Sequence, residues 1–420
     1  MRSTDRVLAF LRVLGPGLIA GSADDDPSGI GTYAIAGASL GYATLWTAVF
    51  TIPMMIAVQF TCAKISIVTG RGLADTLRRH YSAWIVYPTL IALFGANTVN
   101  AGADLGAIGA GVELLVPVPR AVVVVVAAVL LVLLLLVGSY ATIERTFKWL
   151  TLALLAYIGS AALAHPDWGA ALLATVRPTL SLDEQYISTL VALFGTVISP
   201  YLFFWQSAEE VEEVKQQHGP HVRLARTLNK RLRTRAIDVG TGMALSNVVT
   251  YFVILATAAT LHASGQTDVN SAADAARALQ PLAGSAASLL FAVGLIGAGM
   301  LAVPVLTGSA AYAIAGARHW RSGLDQAFGR ARGFYSVMIA STVIGAGMNF
   351  TGINPFRALF VSALLNGLLA PPLLALLLLL ANRRSVMRRH TNGKLLNLVG
   401  WATTLVMALA ALGAIVTSLA

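Results

Sequence analysis

The stretch AVVVVVAAVLLVLLLLVGSY at residues 121–140 leaves a chain few ways to fold. It carries no charge and is long enough, as a helix, to match the hydrocarbon core of a bilayer. A second run, PPLLALLLLLA at 371–381, has the same character. In hydrocarbon every backbone amide must find its partner inside the protein, so only helices or a closed barrel can span it. Strand-like alternation is absent, and the sequence therefore predicts an all-α membrane protein. Composition agrees: 57% of residues are hydrophobic and 11% charged, where a soluble domain carries about 25% charged residues. Cys62 is the single cysteine, which excludes an intrachain disulfide and a thiolate metal cluster.

Apolar segments fall near 11–41, 43–66, 84–112, 120–138, 143–164, 186–208, 238–262, 282–313, 333–349, 355–381 and 394–418, about eleven spans in all. The first and sixth are interrupted, and the ninth is short and contains glycine. The basic residues give the orientation. With the N-terminus in the cytoplasm, all of the 29 lysines and arginines except Arg120, Arg177, Arg277 and Arg357 lie on the cytoplasmic side. The net charge of +10 is thus a mark of topology and not of a nucleic-acid surface. The basic stretch VRLARTLNKRLRTRA at 222–236 reads as a cytoplasmic segment at the lipid surface. Arg2 and Arg6 before an apolar segment mimic a signal peptide. Acidic residues stand where its cleavage site would need small ones, so the segment is expected to be retained. The expected location is a cell membrane crossed many times, in the manner of a bacterial inner membrane. No loop is long enough for a soluble domain, so residues 1–420 read as one transmembrane domain. The segment DVNSAADAARALQPL at 268–282 is expected to form a short amphipathic helix outside the membrane.

Within the first span stands GSADDDPSGIGTY, residues 21–33. A charge at mid-bilayer costs at least about 2.5–3.5 kcal/mol on the insertion scale, so Asp24, Asp25 and Asp26 cannot face lipid. They must line water, a cation or protein interior. Pro27 removes a backbone donor, and Gly29 and Gly31 weaken the helix further. A discontinuous helix broken around residues 24–29 follows. The sixth span is also interrupted, at Ser199-Pro200 within ALFGTVISPYLFFWQSAEEVEE, residues 192–213. The two breaks are five spans apart. Discontinuous helices at matching positions of two halves point to a transporter built from an inverted repeat, with its site at mid-membrane. The halves would run over 11–164 and 186–381, with an additional helix over 394–418.

The motif GPGLIAGSADDDPSGIGTYAIAGASLGYATLW resembles the first helix of the NRAMP family of divalent-metal transporters, which has a D-P-G-N break and a glycine-tyrosine pair at the end of the second half-helix. GTVISPYLFFWQS resembles the family's sixth helix, where the break reads methionine-proline-histidine. The resemblance runs from Gly15 to about Pro372. It implies a LeuT-type 5+5 inverted repeat with discontinuous helices 1 and 6 and an eleventh helix. By the same resemblance Asp26 matches the metal-binding aspartate, and Ala23 and Thr196 occupy carbonyl-donor positions. Gly29 falls where the family has its asparagine ligand, so that side chain is missing. Ser28 offers a hydroxyl one position earlier. Ser199 replaces the methionine, Tyr201 the histidine, and Gln206 stands where a further histidine is found. Asp25 and Asp24 would concentrate cations near the site or cap the half-helix. These departures resemble the NRAMP-related magnesium transporters.

The donor set has a chemical meaning. A thioether favours soft or borderline metals. Carboxylate, hydroxyl, carbonyl and water oxygens suit a hard ion, and Mg2+ keeps several waters while binding one or two carboxylates. The expected function is a divalent-cation transporter for Mg2+, Mn2+ or both, working by alternating access with little or no proton coupling. It needs no cofactor and no obligate protein partner, and it is not an enzyme. A proton-coupled Mn2+/Fe2+ transporter of the same family remains open, as does an organic solute carrier of the same fold, although Asp26 would repel a carboxylate substrate. Intramembrane aspartyl proteolysis is excluded by the lack of a tyrosine-aspartate pair.

Asp104, in NTVNAGADLGAIG, is the other carboxylate deep in a span. It is either a remnant of a proton route or an interior acid satisfied beside Asn97 and Asn100. Asn366 in the tenth span reads as an interhelical hydrogen-bonding residue or a site oxygen. Glu209, Glu210, Glu212 and Glu213 read as the solvated end of the sixth helix.

Overall fold

The structure, a computed structural model, describes residues 16–137, 155–217 and 224–419. Every regular element among them is helical. The first expected span is two helices, α1 (Pro16–Asp24) and α2 (Pro27–Leu40). A 3-10 turn at Gly41–Thr44 leads into α3 (Leu45–Thr69), and α4 (Leu73–His80) follows on the basic side. Next come α5 (Ala83–Leu115), α6 (Arg120–Val137), α7 (Ala156–Leu163) and α8 (Trp168–Val176). The second interrupted span is α9 (Glu184–Val197) and α10 (Pro200–Gln217). The chain ends with α11 (Leu224–Thr260), α12 (Ala287–Arg318), α13 (Arg332–Met348), α14 (Pro355–Asn382) and α15 (Lys394–Leu419). Of the expected span 143–164, only the part containing α7 lies within the described residues.

Six stretches among the described residues are long and apolar enough to cross a membrane: Pro27–Thr69, Glu184–Val214, Leu228–Ser264, Gln280–Arg318, Pro355–Asn382 and Lys394–Thr417. The expected span 84–112 coincides with α5, whose interior carries Asn97, Asn100 and Asp104 and is correspondingly more polar. The external amphipathic segment forms Ala272–Arg277, with Ser271 accepting from the Asp274 amide as its cap.

The two breaks fall where the sequence expects them, and each places a proline in the first turn of its second half. A proline there forgoes an amide that would have no intrahelical partner anyway. At the first break Asp26 is the N-cap of α2, and its side chain accepts from the Gly29 amide. At the second, Ser199 faces the other way. Its hydroxyl donates to the Gly195 and Thr196 carbonyls, 3.0 and 2.5 Å away, at the end of α9. One break satisfies the orphan amides of the half that begins, and the other the orphan carbonyls of the half that ends.

Small residues let the helices around the breaks approach closely. A Cβ on Gly21 of α1 would lie 2.4 Å from the Gly242 carbonyl oxygen of α11. One on Gly195 of α9 would lie 2.1 Å from the Ala363 carbonyl oxygen and 2.3 Å from the Gly367 amide of α14. Backbone touches backbone at both places, as small residues permit between membrane helices. Gly195→Ala is therefore expected to push α9 from α14 and destabilise the protein by the 1–3 kcal/mol, or about that, typical of an overpacked core. A thermal melt of the purified protein in detergent measures it, and an unshifted midpoint would contradict the contact.

Candidate metal site

The half-helix ends meet α5, α11 and α14 in the protein interior. Asp26 is 1% exposed. Its Oδ1 accepts from the Ser28 hydroxyl and the Gly29 amide, each at 2.7 Å. Its Oδ2 accepts from the Asn100 amide of α5 at 3.1 Å and lies 3.4 Å from the Tyr201 hydroxyl of α10. Tyr201 has one proton, and the shorter contact, 2.9 Å, is to the Ala23 carbonyl. Asn100 is itself held from behind, because its Oδ1 accepts from the Ser362 hydroxyl of α14 at 2.8 Å. The carboxylate is thus surrounded by neutral polar groups from three helices, α2, α5 and α10, and placed at the positive end of α2.

Six of the expected residues come together here: Ala23, Asp26, Ser28, Gly29, Thr196 and Tyr201. The Cβ that Gly29 lacks would stand 3.1 Å from the Thr196 hydroxyl, 3.1 Å from the Tyr33 hydroxyl and 3.3 Å from the Asp24 carbonyl. The Thr196 hydroxyl has no hydrogen-bond partner, and both side chains are buried. Thr196 therefore turns a side-chain oxygen toward this space, while its carbonyl accepts the Ser199 proton. Ser199 is buried at the second break; with its proton committed to its own helix, its lone pairs remain as donors to a cation. Asp25 turns to the opposite side of the break, where its Oδ1 accepts from Ser246 of α11.

Sequence reasoning missed Asn100 as a partner of Asp26, and it missed Ser362, Tyr33 and Ser246 altogether. One signal was present. Asn97, Asn100 and Asp104 are spaced to share one face of α5, and that face meets the break. Asp104 is fully buried beside the Ser28 main chain. Asn97 donates to the Leu306 carbonyl, and Asn366 is buried with neither polar atom bonded, so it makes no interhelical hydrogen bond. Gln206 turns away toward Glu210.

None of Asp24, Asp25, Asp26 and Asp104 is ion-paired to a described Lys, Arg or His. No group of three His, Cys, Asp or Glu converges among the described residues either. Such a region attracts cations by field and holds them with few charges and many neutral oxygens. That donor set fits a hard, partly hydrated ion.

On the basic side of the site lies a buried ionic cluster. Arg235 of α11 pairs with Glu210 and Glu213 of α10 and with Asp238. Asp238 in turn accepts from the Gly17 and Leu18 amides at the start of α1, at 2.8 and 3.1 Å. The expectation of a solvated acidic helix end is corrected at Glu210, and that of a basic stretch at the lipid surface at Arg235 alone, while Lys230 and Arg233 are exposed. Glu210 is 1% exposed and Arg235 6%, because α1, α10 and α11 close over them.

A family model described as natural resistance-associated macrophage protein-like, Nramp, matches residues 17–417. The chain is 28% identical over 406 residues to the divalent metal cation transporter MntH of Burkholderia ambifaria, covering 96% of this chain and 88% of that protein. It is 27% identical over 410 residues to the MntH of Deinococcus radiodurans, with coverage of 97% and 89%. Among solved structures it superposes on the Eremococcus coleocola manganese transporter, in complex with an aromatic bis-isothiourea substituted compound, at a TM-score of 0.75. There the identity is 20%, with 98% of this chain and 87% of that chain covered. The nucleobase-cation-symport-1 transporter Mhp1, in a closed conformation with bromovinylhydantoin bound, superposes at 0.58 with 15% identity, covering 96% and 91%. At such identities these structures establish the fold, which is of the LeuT type.

The ionic cluster generates a prediction of its own. Arg235→Ala leaves Glu210 and Asp238 buried without their cation, a change that costs about 3–5 kcal/mol in comparable buried pairs. The variant is expected to melt well below the unaltered protein in detergent. Adding Glu210→Gln should recover part of the loss. Equal melting of Arg235→Ala and the parent would show that the cluster is solvated.

Proposed function

The chain belongs to the Nramp family, and we propose that it carries hard divalent cations, Mg2+ and Mn2+, through the site around Asp26 by alternating access. The coarser statement needs no proposal: this is a multi-pass membrane protein of a divalent metal cation transporter family, not an enzyme. The finer reading rests above all on one observation. A buried carboxylate at a helix break is surrounded by oxygen and amide groups, with no sulfur donor among its polar contacts.

In this reading Asp26 supplies the charge that offsets dehydration of the ion. Ala23 and Thr196 contribute carbonyl oxygens, Thr196 its free hydroxyl as well, and Ser28, Ser199 and Tyr201 complete a shell shared with water. Gly29, with no side chain, leaves that space to oxygen atoms from its neighbours. The Tyr201 hydroxyl donates to the Ala23 carbonyl, so coordination of an ion by that carbonyl requires the hydroxyl to rotate away. Asp25 lies beside the site and raises the local cation concentration. The repeats are taken as 11–164 and 186–381, with 394–418 as the additional helix, and the membrane as a bacterial inner membrane with the basic side in the cytoplasm. Coupling to protons is weak or absent. Among described residues no histidine contacts Asp26, and Tyr201 fills the place of the family's histidine.

Asp26→Asn is a clean test because the amide oxygen can still cap α2 while the charge is lost. Uptake of Mg2+ and Mn2+ into proteoliposomes should fall to background, with melting little changed. Undiminished uptake by the folded variant would remove Asp26 from the site. An internal pH dye in the same vesicles should report little acidification during uptake, and acidification in proportion to metal would establish coupling.

Ser199→Met tests selectivity. A thioether at the second break should raise Cd2+ affinity about tenfold, near 1.4 kcal/mol, and lower Mg2+ transport by filling space that water uses. Calorimetry and uptake on one preparation measure both. An unchanged Cd2+/Mg2+ preference would show that Ser199 does not face the ion.

A further inference from the structure

The apolar stretches Pro355–Asn382 and Lys394–Thr417 leave only residues 383–393 between them, so this segment lies at the membrane boundary on the basic side. It reads RRSVMRRHTNG. Arg383, Arg384, Arg388 and Arg389 are all exposed, as is Lys394 at the start of α15. None of the five is ion-paired to a described acid. From residue 326 to 420 the sequence holds no aspartate or glutamate at all. The charge bias of cytoplasmic loops accounts for the sign of such a segment, but not for how it is held.

It is held at several points. Val386 and Met387, in a single helical turn at Arg384–Met387, are buried. Asn382 and Asn397 exchange side-chain hydrogen bonds at 2.7 and 2.8 Å and close the end of α14 on the start of α15. Lys64 of α3, 7% exposed, donates to the Thr391 carbonyl and to Asn392 Oδ1, both at 3.0 Å. Arg383 donates to the His80 carbonyl at the end of α4, at 2.8 Å. Between these anchors the His390 amide reaches the Met387 carbonyl at 2.8 Å across a tight turn. Arg388 takes the second position of that turn, with φ 52° and ψ −118°. Glycine adopts this backbone freely and arginine rarely does. A strained arginine at the tip of a turn, where glycine would fit, points to work for that side chain. The positive field reaches the neighbouring imidazoles. Partial burial, and then Arg389 and Lys64, hold His390 below its ordinary value, and partial burial with Arg383, Arg71 and Arg79 does the same to His80. From the same boundary α15 presents an apolar strip, with Leu395, Leu398 and Trp401 at 73, 68 and 41% exposure.

We propose that the turn between α14 and α15 binds the headgroup of an anionic phospholipid. Its phosphate would rest on Arg388 and Arg389, with Arg384 and Lys394 beside them, and an acyl chain would lie along Leu395, Leu398 and Trp401. A guanidinium fork meets phosphate oxygens two at a time, and basic groups beside membrane helices on the cytoplasmic side suit such headgroups. A lipid fits better than a soluble anion because the charge and the apolar strip are continuous. Lys64 and the asparagine pair tie the turn to α3, α14 and α15, so a bound headgroup would fasten those three helices together. The site does not depend on which ion passes Asp26.

The test uses the full chain, stripped of lipid in neutral detergent and reconstituted into phosphatidylcholine vesicles that carry a varied fraction of brominated lipid. Bromine on an acyl chain quenches tryptophan that it touches. Trp401 lies about 10 Å along α15 from Lys394, at about 1.5 Å per residue, and the difference between the parent and Trp401→Phe isolates its signal. Brominated phosphatidylglycerol should quench Trp401 at about a tenth of the fraction that brominated phosphatidylcholine requires. The double variant Arg388→Gln with Arg389→Gln should abolish that preference, while Arg330→Gln, on the same side but outside the turn, should keep it. Arg388→Gly separates binding from folding. It relieves the turn and should raise the melting point in lipid-free detergent, yet weaken the preference for phosphatidylglycerol. Equal quenching by the two lipids in the parent would overturn the proposal, as would a preference left intact in the double variant. Loss of the preference on adding inorganic phosphate, but not chloride at equal ionic strength, would show a site for a free anion and overturn the lipid assignment.

Discussion

The arrangement depends on how a helix can stop in the middle of a membrane. Each stop exposes backbone groups that hydrocarbon cannot satisfy. At the first break the solution is the Asp26 carboxylate, which accepts from the Gly29 amide and sits at the positive end of α2. The group that makes the break tolerable is thus an anion fixed in a protein interior. Its charge is only partly relieved by the neutral groups around it, the donors Ser28 and Asn100 and the more distant Tyr201 hydroxyl. A cation is the natural complement to a carboxylate in that position. The cap and the proposed ligand are one residue, so the break and the site cannot be separated by mutation without keeping an acceptor in place.

The second break is complementary in sign. Ser199 donates to the carbonyl end of α9, and Pro200 begins α10 without an amide to satisfy. The carbonyl end of one half-helix therefore faces a region whose other border carries Asp26. Both contributions favour positive charge. Asn100 and Ser362 extend this from the breaks into α5 and α14, so that four separate parts of the chain fix the orientation of one carboxylate. Rigidity at the ligand is a matter of hydrogen bonds passed between helices. On the basic side α1 and α10 are held by the charge pairs and amide contacts of the Arg235 cluster.

Much of this was legible in the sequence, for a physical reason. A proline and three aspartates inside an apolar span violate membrane energetics so strongly that only a break accounts for them. Ser199-Pro200, matched to the first break by position, then fixes the repeat architecture. What could not be read is whatever depends on the partner across the interior. The polar face of α5 was visible, but not that Asn100 meets Asp26 and that Asp104 lies against the Ser28 main chain. Thr196 could be placed at the break, but not which of its two oxygens is free. Glu210 and Arg235 are twenty-five positions apart in sequences that look solvated, and only the closing of α1 over α10 and α11 buries them. Local composition reports the cost of a charge. It does not report the counter-charge that another helix brings.

The three aspartates separate by direction, and that separation carries the most consequence for mechanism. Side chains at consecutive positions around a break leave the axis on different sides. Asp26 turns to α5 and α10, and Asp24 and Asp25 to α11. The break is therefore charged on two faces at once. Each face contacts an element that meets α1 or α2, so the acids tie the broken helix to different neighbours. Below them, the Gly17 and Leu18 amides rest on Asp238, within the Arg235 cluster, and tie the start of α1 to the same α11. The first half-helix is thus fixed to α11 at both ends, by charge at one and by Ser246 at the other, with the Gly21–Gly242 contact between. Freeing α1 to move requires both ends to release. The Arg235 cluster on the basic side and the break at Asp24 are thereby joined through one short helix, α1.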